Sequence, residues 1–302
     1  SDRCLPWSTL MAVSESKNKK TVGYHQGEVN TVISVEDVNR QAQQLGSGVS
    51  EETINNLIKD EPFLKIENLR AGYGKMEILH DFTLKISKGE SLCLIGPNGA
   101  GKSTVLHSIF GFTKIFSGSI SVRNENGEQN ITNLTPSEKL KEAGIAYILQ
   151  DNSVFPGMTV EENLWMGGYL KEKPEEAKEA AEEIFAKYER LANRRHQPAR
   201  VLSGGERRLL EISRALVMKP QVLLVDEPSI GLEPRFIEMV FEILYDLQEK
   251  EGKTIIMVEQ NAKKGLEFAD IGYVLVSGEL ALAGKGNELL KNPEVGRLFL
   301  GG

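Results

Sequence analysis

Cysteine is scarce. The 302 residues contain two, Cys4 in a polar stretch and Cys93 inside an apolar run. That excludes a disulfide framework and fits a reducing compartment, with Cys93 reading as a small core residue. Long apolar runs are missing as well: none reaches the ~18 residues that span a bilayer. Residues 4–13, CLPWSTLMAV, follow Arg3 as a signal peptide might, but Pro6, Ser8 and Thr9 interrupt the run and no small-residue cleavage site is clear. The expectation is a chain that is not exported, held at a membrane only by something else. Nor is there an excess of positive charge. Lysine and arginine number 36 against 43 acids, for a net charge of −7 and a pI near 5.4, which excludes wholesale binding to nucleic acid or an anionic lipid surface. What is present is ordinary globular composition, 40% hydrophobic and 26% charged, with length for one large domain or two small ones.

Residues 1–62 differ in texture from the rest. They are polar, with few aromatics and little periodicity. Ser34-Val-Glu-Asp37 has the form of a capping box for a short helix through Gln44, and Ser50 can cap a second helix with Ile54, Leu57 and Ile58 on one face. The segment reads as a mostly flexible extension with one or two short helices; the sharper alternative is a docking segment. From Phe63, FLKIENL and FTLKIS alternate as half-buried strands do, and SLCLIG is a short continuous run like a strand buried on both faces. Asn126-Gly127 in SISVRNENGEQNI marks a hairpin. Residues from Pro174 through Leu191 have acids early, bases late and Ile184, Tyr188 and Leu191 on one face, which predicts one helix in a mostly helical block. VLLV at 222–225 and IIMV at 255–258 each follow a helical pattern, so a mostly parallel sheet is expected.

Three motifs carry chemistry. Gly96-Pro97-Asn98-Gly99-Ala100-Gly101-Lys102-Ser103 follows a strand and opens the apolar helix STVLHSIF, with Thr104 in its first turn. Gly99 and Gly101 let the backbone curl so that its N–H groups point inward, and the helix N-terminus adds partial positive charge; together they suit phosphate. Lys102 is placed to reach the β- and γ-phosphates and Ser103 to ligate Mg²⁺. Asp226 and Glu227 end the strand VLLV about 120 residues later. Asp226 suits holding a metal through water; Glu227 suits polarising an attacking water. Leu202-Ser203-Gly204-Gly205-Glu206 opens another helix, a second anion site with exposed N–H groups and an outward hydroxyl, where one nucleotide does not obviously need two.

These motifs, in this order, resemble those of the ABC ATPases, the nucleotide-binding subunits of ATP-binding cassette transporters, over about residues 63–302. The resemblance implies an α/β fold: a P-loop NTPase (RecA-like) core with a mostly parallel sheet, an antiparallel β subdomain and a helical subdomain at about 152–218. It implies ATP and Mg²⁺ as cofactors, with Ser203–Gly205 completing the ATP site of a partner in a head-to-tail dimer. Tyr73 falls where an aromatic ring stacks on adenine, and Gln150 where a glutamine touches Mg²⁺ and senses the membrane partner. MTVEENLWMGGYL, VEQNA, ADIGYVLVSGE and EVGRLFLGG are similar to the smaller ATPase of branched-chain amino-acid importers and their urea-importing relatives. That implies a second, different ATPase as heterodimer partner, two transmembrane permeases, an extracytoplasmic solute-binding protein, no nucleic acid, and a place on the cytoplasmic face of the membrane. Branched-chain or other neutral amino acids are the first expected solute and urea the second; a regulatory subunit with little turnover is the reading from a different class.

Two positions depart from the family pattern. Gln260 stands where most members hold a histidine that contacts the γ-phosphate and the attacking water; glutamine donates a hydrogen bond but cannot become a cation. Ser229-Ile-Gly-Leu-Glu233-Pro234 carries Glu233 where Leu-Asp is usual.

Overall fold

The structure is a computed structural model that describes residues 49–125, 127–150 and 153–300. The described elements run α1 (Glu51–Leu57), β1 (Leu64–Tyr73), β2 (Met76–Ile86), β3 (Ser91–Ile95), α2 (Lys102–Phe110), β4 (Lys114–Asn124), β5 (Gly127–Asn130), α3 (Pro136–Lys141), β6 (Ile145–Ile148), α4 (Val160–Gly167), α5 (Pro174–Lys187), α6 (Glu189–Ala192), a 3₁₀ turn (Ala199–Val201), α7 (Gly204–Leu216), β7 (Val222–Asp226), α8 (Pro234–Glu249), β8 (Thr254–Val258), α9 (Ala262–Phe268), β9 (Ile271–Val276), β10 (Glu279–Lys285), α10 (Gly286–Lys291) and α11 (Pro293–Phe299).

Two sheets result. The six-stranded sheet has the order β10-β9-β3-β8-β7-β6; every pairing from β9 to β6 is parallel and β10 is an antiparallel edge. Its strands β3, β7 and β8 are buried at every position, because helices and the second sheet cover both faces. The strand period sorts their side chains. Leu92, Leu94, Leu224, Ile256 and Val258 face α2 and the antiparallel sheet; Cys93, Ile95, Leu223, Val225, Ile255 and Met257 join the core with α4, α7 and α8. The four-stranded antiparallel sheet has the order β2-β1-β4-β5, and its β4–β5 hairpin pairs Asn124 with Gly127, which sits at φ +109. Asn126 lies outside the described residues, as does the helix expected from Ser34 to Gln44.

The helix expected from Pro174 through Leu191 is interrupted. It ends at Lys187, Tyr188 takes φ −122 and ψ 86, and a short helix restarts at Glu189. Tyr188 still lies part-buried against the large core and Leu191 is buried in it, so the face expected from the spacing is kept across the break. Ser50 caps α1, accepting from the Thr53 N–H at 3.1 Å. Far from being isolated, α1 lies against β2 and β10 with Ile54 and Leu57 buried. Lys85 Nζ donates to Glu51 at 2.7 Å and Asn55 at 2.9 Å, Lys59 pairs with Asp270 at 2.9 Å, the Asp60 N–H reaches Ser87 at 3.0 Å, and Lys285 donates to the Leu57 carbonyl.

None of these contacts touches the strand ends discussed below. A chain beginning at Pro62 is therefore expected to keep nucleotide binding while losing about 2 kcal/mol of net stability, a fall of roughly 4–8 °C in Tm. Thermal melts with a fluorescent ATP analogue check both; lost binding would make the arm part of the site.

Candidate active site

The parallel sheet brings four strand ends to one edge, where ligands of such sheets bind. β3 leads into the glycine loop, β6 into Gln150, β7 into Asp226 and Glu227, and β8 into Gln260. The loop after β3 can approach its neighbours only because of glycine. A Cβ on Gly96, at φ +148, would lie 2.2 Å from the Leu275 carbonyl oxygen, and one on Gly278, which donates to the Ala100 carbonyl at 2.9 Å, would lie 1.8 Å from the Ile78 oxygen. Gly99 and Gly101 take φ +82 and +96, a conformation that costs other residues about 1–2 kcal/mol. Asn98 and Gly99 are exposed and Ala100 is buried against the antiparallel sheet's core.

Lys102 opens α2 and curls back over the loop, donating to the Gly96 and Pro97 carbonyls at 2.9 and 3.0 Å. Burial holds its ammonium below the ordinary lysine range, and the nearby charges of Glu227 and Asp226 oppose that shift. Ser103 Oγ donates to Asp226 Oδ1 at 3.1 Å, and the Tyr147 hydroxyl donates to Oδ2 at 2.8 Å. Burial, then the Asp226 charge, drives the Tyr147 phenol far above its ordinary value, so it stays a donor. Gln150 Nε2 donates to Glu227 Oε2 at 3.0 Å. Glu227 sits at φ +44, strained for a side chain of this size, with its N–H on the Val258 carbonyl at 2.8 Å. Arg208 of α7 ties the edge together, donating to the Leu149 carbonyl at 2.7 Å, Glu211 at 2.8 Å and the Asp226 carbonyl at 3.3 Å.

The oxygens of Ser103 and Asp226 are the hard donors that suit Mg²⁺. Among the described residues no group of three His, Cys, Asp or Glu could hold a metal, so Mg²⁺ here would draw most of its shell from phosphate and water.

Tyr73 is exposed at the end of β1, with its hydroxyl 2.5 Å from His107 Nδ1 on α2. Leu202 is buried, while Ser203 and Gly204 are exposed at the start of α7. Gly205 is buried where a Cβ would strike the Phe236 ring. The exposed Ser203 hydroxyl accepts from the Glu206 N–H at 3.3 Å while Glu206 accepts from the Ser203 N–H at 2.9 Å, a complete capping box that leaves the O–H of Ser203 free to donate. Glu233 starts α8 without capping it and pairs with Arg235 at 3.2 Å.

The ABC transporter family matches residues 79–230. This chain belongs to that family. It is 41% identical over 239 residues to the high-affinity branched-chain amino acid transport ATP-binding protein BraG of Pseudomonas aeruginosa, covering 79% of this chain and 100% of that protein. It is 40% identical over 238 residues to the probable branched-chain amino acid transport ATP-binding protein LivF of Archaeoglobus fulgidus, covering 79% and 98%. Among solved structures, the ADP conformation of MJ1267, an ATP-binding cassette of an ABC transporter, superposes with a TM-score of 0.70 at 28% identity, over 80% of this chain and 100% of that one. The chain is thus an ABC transporter ATPase that binds and hydrolyses ATP.

Three side chains of this ABC ATPase were given no role from the sequence: Tyr147, Arg208 and Glu259. Glu259 is buried beside Gln260 and accepts from Ser229 Oγ at 2.7 Å, the Asn261 N–H at 2.9 Å and the Ser229 N–H at 3.3 Å. Burial raises its carboxyl above the usual range, against those hydrogen bonds. The one available signal was a glutamate ending a fully apolar strand. A further buried charge supports α2 from its other end: Lys139 Nζ donates to the Ser108 carbonyl at 3.2 Å, and burial lowers it to about 8.

Below pH 8 the folded chain keeps that ammonium buried at full cost. Between about pH 8 and 10.5 the unfolded chain still holds a proton that the folded chain releases, so stability rises with pH. Urea unfolding of the parent and Lys139→Met is expected to shift in the parent's favour between pH 7 and 9.5; a difference flat in pH would contradict the buried charge.

Proposed function

We propose that this ABC ATPase energises uptake of branched-chain or other neutral amino acids, at the cytoplasmic face of the membrane. Its partners in this reading are a second ABC ATPase, two permease subunits and, indirectly, an extracytoplasmic solute-binding protein. The observation that carries it is the hydrogen-bonded set Ser103–Asp226 and Gln150–Glu227 beside Lys102, in a chain about 40% identical to two branched-chain amino acid transport ATP-binding proteins. Among the described residues no helix is long and apolar enough to cross a membrane, so attachment falls to the permeases.

In this reading the N–H groups of Asn98 to Thr104 and the Lys102 ammonium hold the phosphates, and Tyr73 stacks on adenine. Ser103, Asp226 and Gln150 hold Mg²⁺, whose chemistry is to neutralise charge on the transferring phosphate. Glu227 takes the proton of the attacking water, and its strained backbone fixes where that carboxylate points. Leu202 to Glu206 serve the partner's nucleotide. A groove of about 270 Å³ lined by Tyr147, Leu149, Phe155, Met166, Tyr169 and Arg214 receives a cytoplasmic segment of a permease. Its support is that Leu149, Phe155, Met166 and Tyr169 are all exposed apolar side chains beside Gln150.

Gln260 makes this chain's own site the slower of two in an asymmetric heterodimer. A neutral donor in place of a charge-assisted contact costs on the order of 2–3 kcal/mol, or roughly 30- to 150-fold in rate. Glu227→Gln in this subunit is expected to reduce ATP turnover of the assembled complex less than the equivalent change in the partner, and equal losses would refute the asymmetry. For the assembly itself, mild-detergent affinity capture from native membranes, read by mass spectrometry, is expected to recover two polytopic permeases and a second ATPase. Recovery of soluble partners alone would refute transport.

A further inference from the structure

Asp226 is gripped from two sides, and only one grip comes from a motif. Ser103 Oγ reaches Oδ1 at 3.1 Å; the Tyr147 hydroxyl reaches Oδ2 at the shorter distance of 2.8 Å. Register explains the reach. Tyr147 of β6 pairs with Leu224 of β7, so Tyr147, Leu224 and Asp226 share one face, and the tyrosine leans along its neighbour to the strand end. The ring cannot swing away. It packs against His107, Phe110 and Phe112, with centroids 5.7, 5.6 and 5.9 Å distant. A phenylalanine would fill that cage equally well, so packing alone gives no reason for the hydroxyl. Arg208 fixes the Asp226 backbone through its carbonyl, which leaves rotation of the carboxylate as the freedom that Tyr147 removes.

We propose that Tyr147 is a positioning residue for the metal site. By holding Asp226 Oδ2, it keeps Oδ1 turned toward the Ser103 hydroxyl, so that both oxygens would be presented to Mg²⁺ and its waters without reorganisation. The proposal rests on the reading of Asp226 as a metal-side ligand. Without the hydroxyl, Mg²⁺ must select one carboxylate orientation from several, and metal affinity falls while contacts to the nucleotide itself are untouched. The second-sphere position predicts a shift of about tenfold.

The test is binding of a fluorescent ATP analogue to the full chain, with Mg²⁺ titrated in from EDTA. In the parent, Mg²⁺ tightens binding, and Asp226→Asn removes most of that tightening. Tyr147→Phe is expected to raise the Mg²⁺ concentration for half-maximal tightening about tenfold, with metal-free affinity close to the parent's and a lowered melting midpoint, because a buried carboxylate loses a donor. Tyr147→Met, which gives up the hydroxyl with another shape, must show the same shift. A Tyr147→Phe titration that overlays the parent overturns the proposal and leaves the Asp226 reading standing. An equal loss of metal-free affinity also overturns it, because the hydroxyl would then support the fold alone. A parent indifferent to Mg²⁺ overturns the reading of Asp226 and the role of Tyr147 together.

Discussion

Asp226 ends a strand buried on both faces, next to a second acid and within electrostatic reach of a buried lysine, and in its proposed role it must remain available to a metal. A charge taken out of water is costly unless donors meet it. The chain supplies them from three elements: Ser103 from the first turn of α2, Tyr147 from β6, and Arg208 from α7 on the backbone carbonyl. Lys102, whose charge would be the obvious partner, is directed instead at two loop carbonyls. The carboxylate is thus held by hydroxyls, which orient it without neutralising it. A lysine pair at this point would satisfy the acid and leave it little reason to bind a cation.

The same strand serves the second acid. β6 delivers Tyr147 to Asp226 and, three residues on, Gln150 to Glu227, and Arg208 anchors the carbonyl of Leu149, the residue just after the strand. On the outer side β6 lines the apolar groove with Ile148 and Leu149. Close-packed interiors transmit displacement instead of absorbing it. The end of one short strand therefore stands between that groove and both carboxylates, and α7, which opens with the Ser203–Gly205 segment, packs against the strand and reaches the Leu149 carbonyl through the Arg208 guanidinium.

Local signals made much of this legible in the sequence. The glycine loop, the apolar strands, the Asn126-Gly127 hairpin and the Ser50 cap are written in adjacent residues, and the structure shows the loop, the strands, the hairpin pairing and the capped helix. What was illegible depends on contacts between distant residues. Tyr147 and Asp226 are 79 positions apart, Arg208 and Leu149 are 59 apart, and no local pattern announces either pair. Periodicity also did not announce the break in the helix at Tyr188, and the capping box of Ser203 and Glu206, whose two halves lie three residues apart, was legible but not read. The docking of α1 depends on Lys85, Ser87, Glu90 and Asp270, all outside the segment whose composition suggested flexibility.

Gln260 takes on a different meaning beside its neighbour. β8 does end in a titratable side chain, Glu259, but alternation turns it inward, where it is committed to Ser229 and to the backbone of Asn261. It fastens the loop carrying Gln260 to the segment that runs from Glu227 to Glu233. The next residue faces solvent and is the neutral amide. A histidine there would titrate one position from a buried carboxylate whose own protonation is already shifted upward, and the charge of each would move with the other. A neutral amide removes that coupling. In the proposed role its contact to phosphate would be weaker than a cation's, but its strength would not change with pH across the physiological range. Under the proposed role of Gln260, fixing the loop through Glu259 and reading phosphate through an uncharged donor would be two parts of one arrangement, in which burial holds the geometry and recognition is insensitive to protonation.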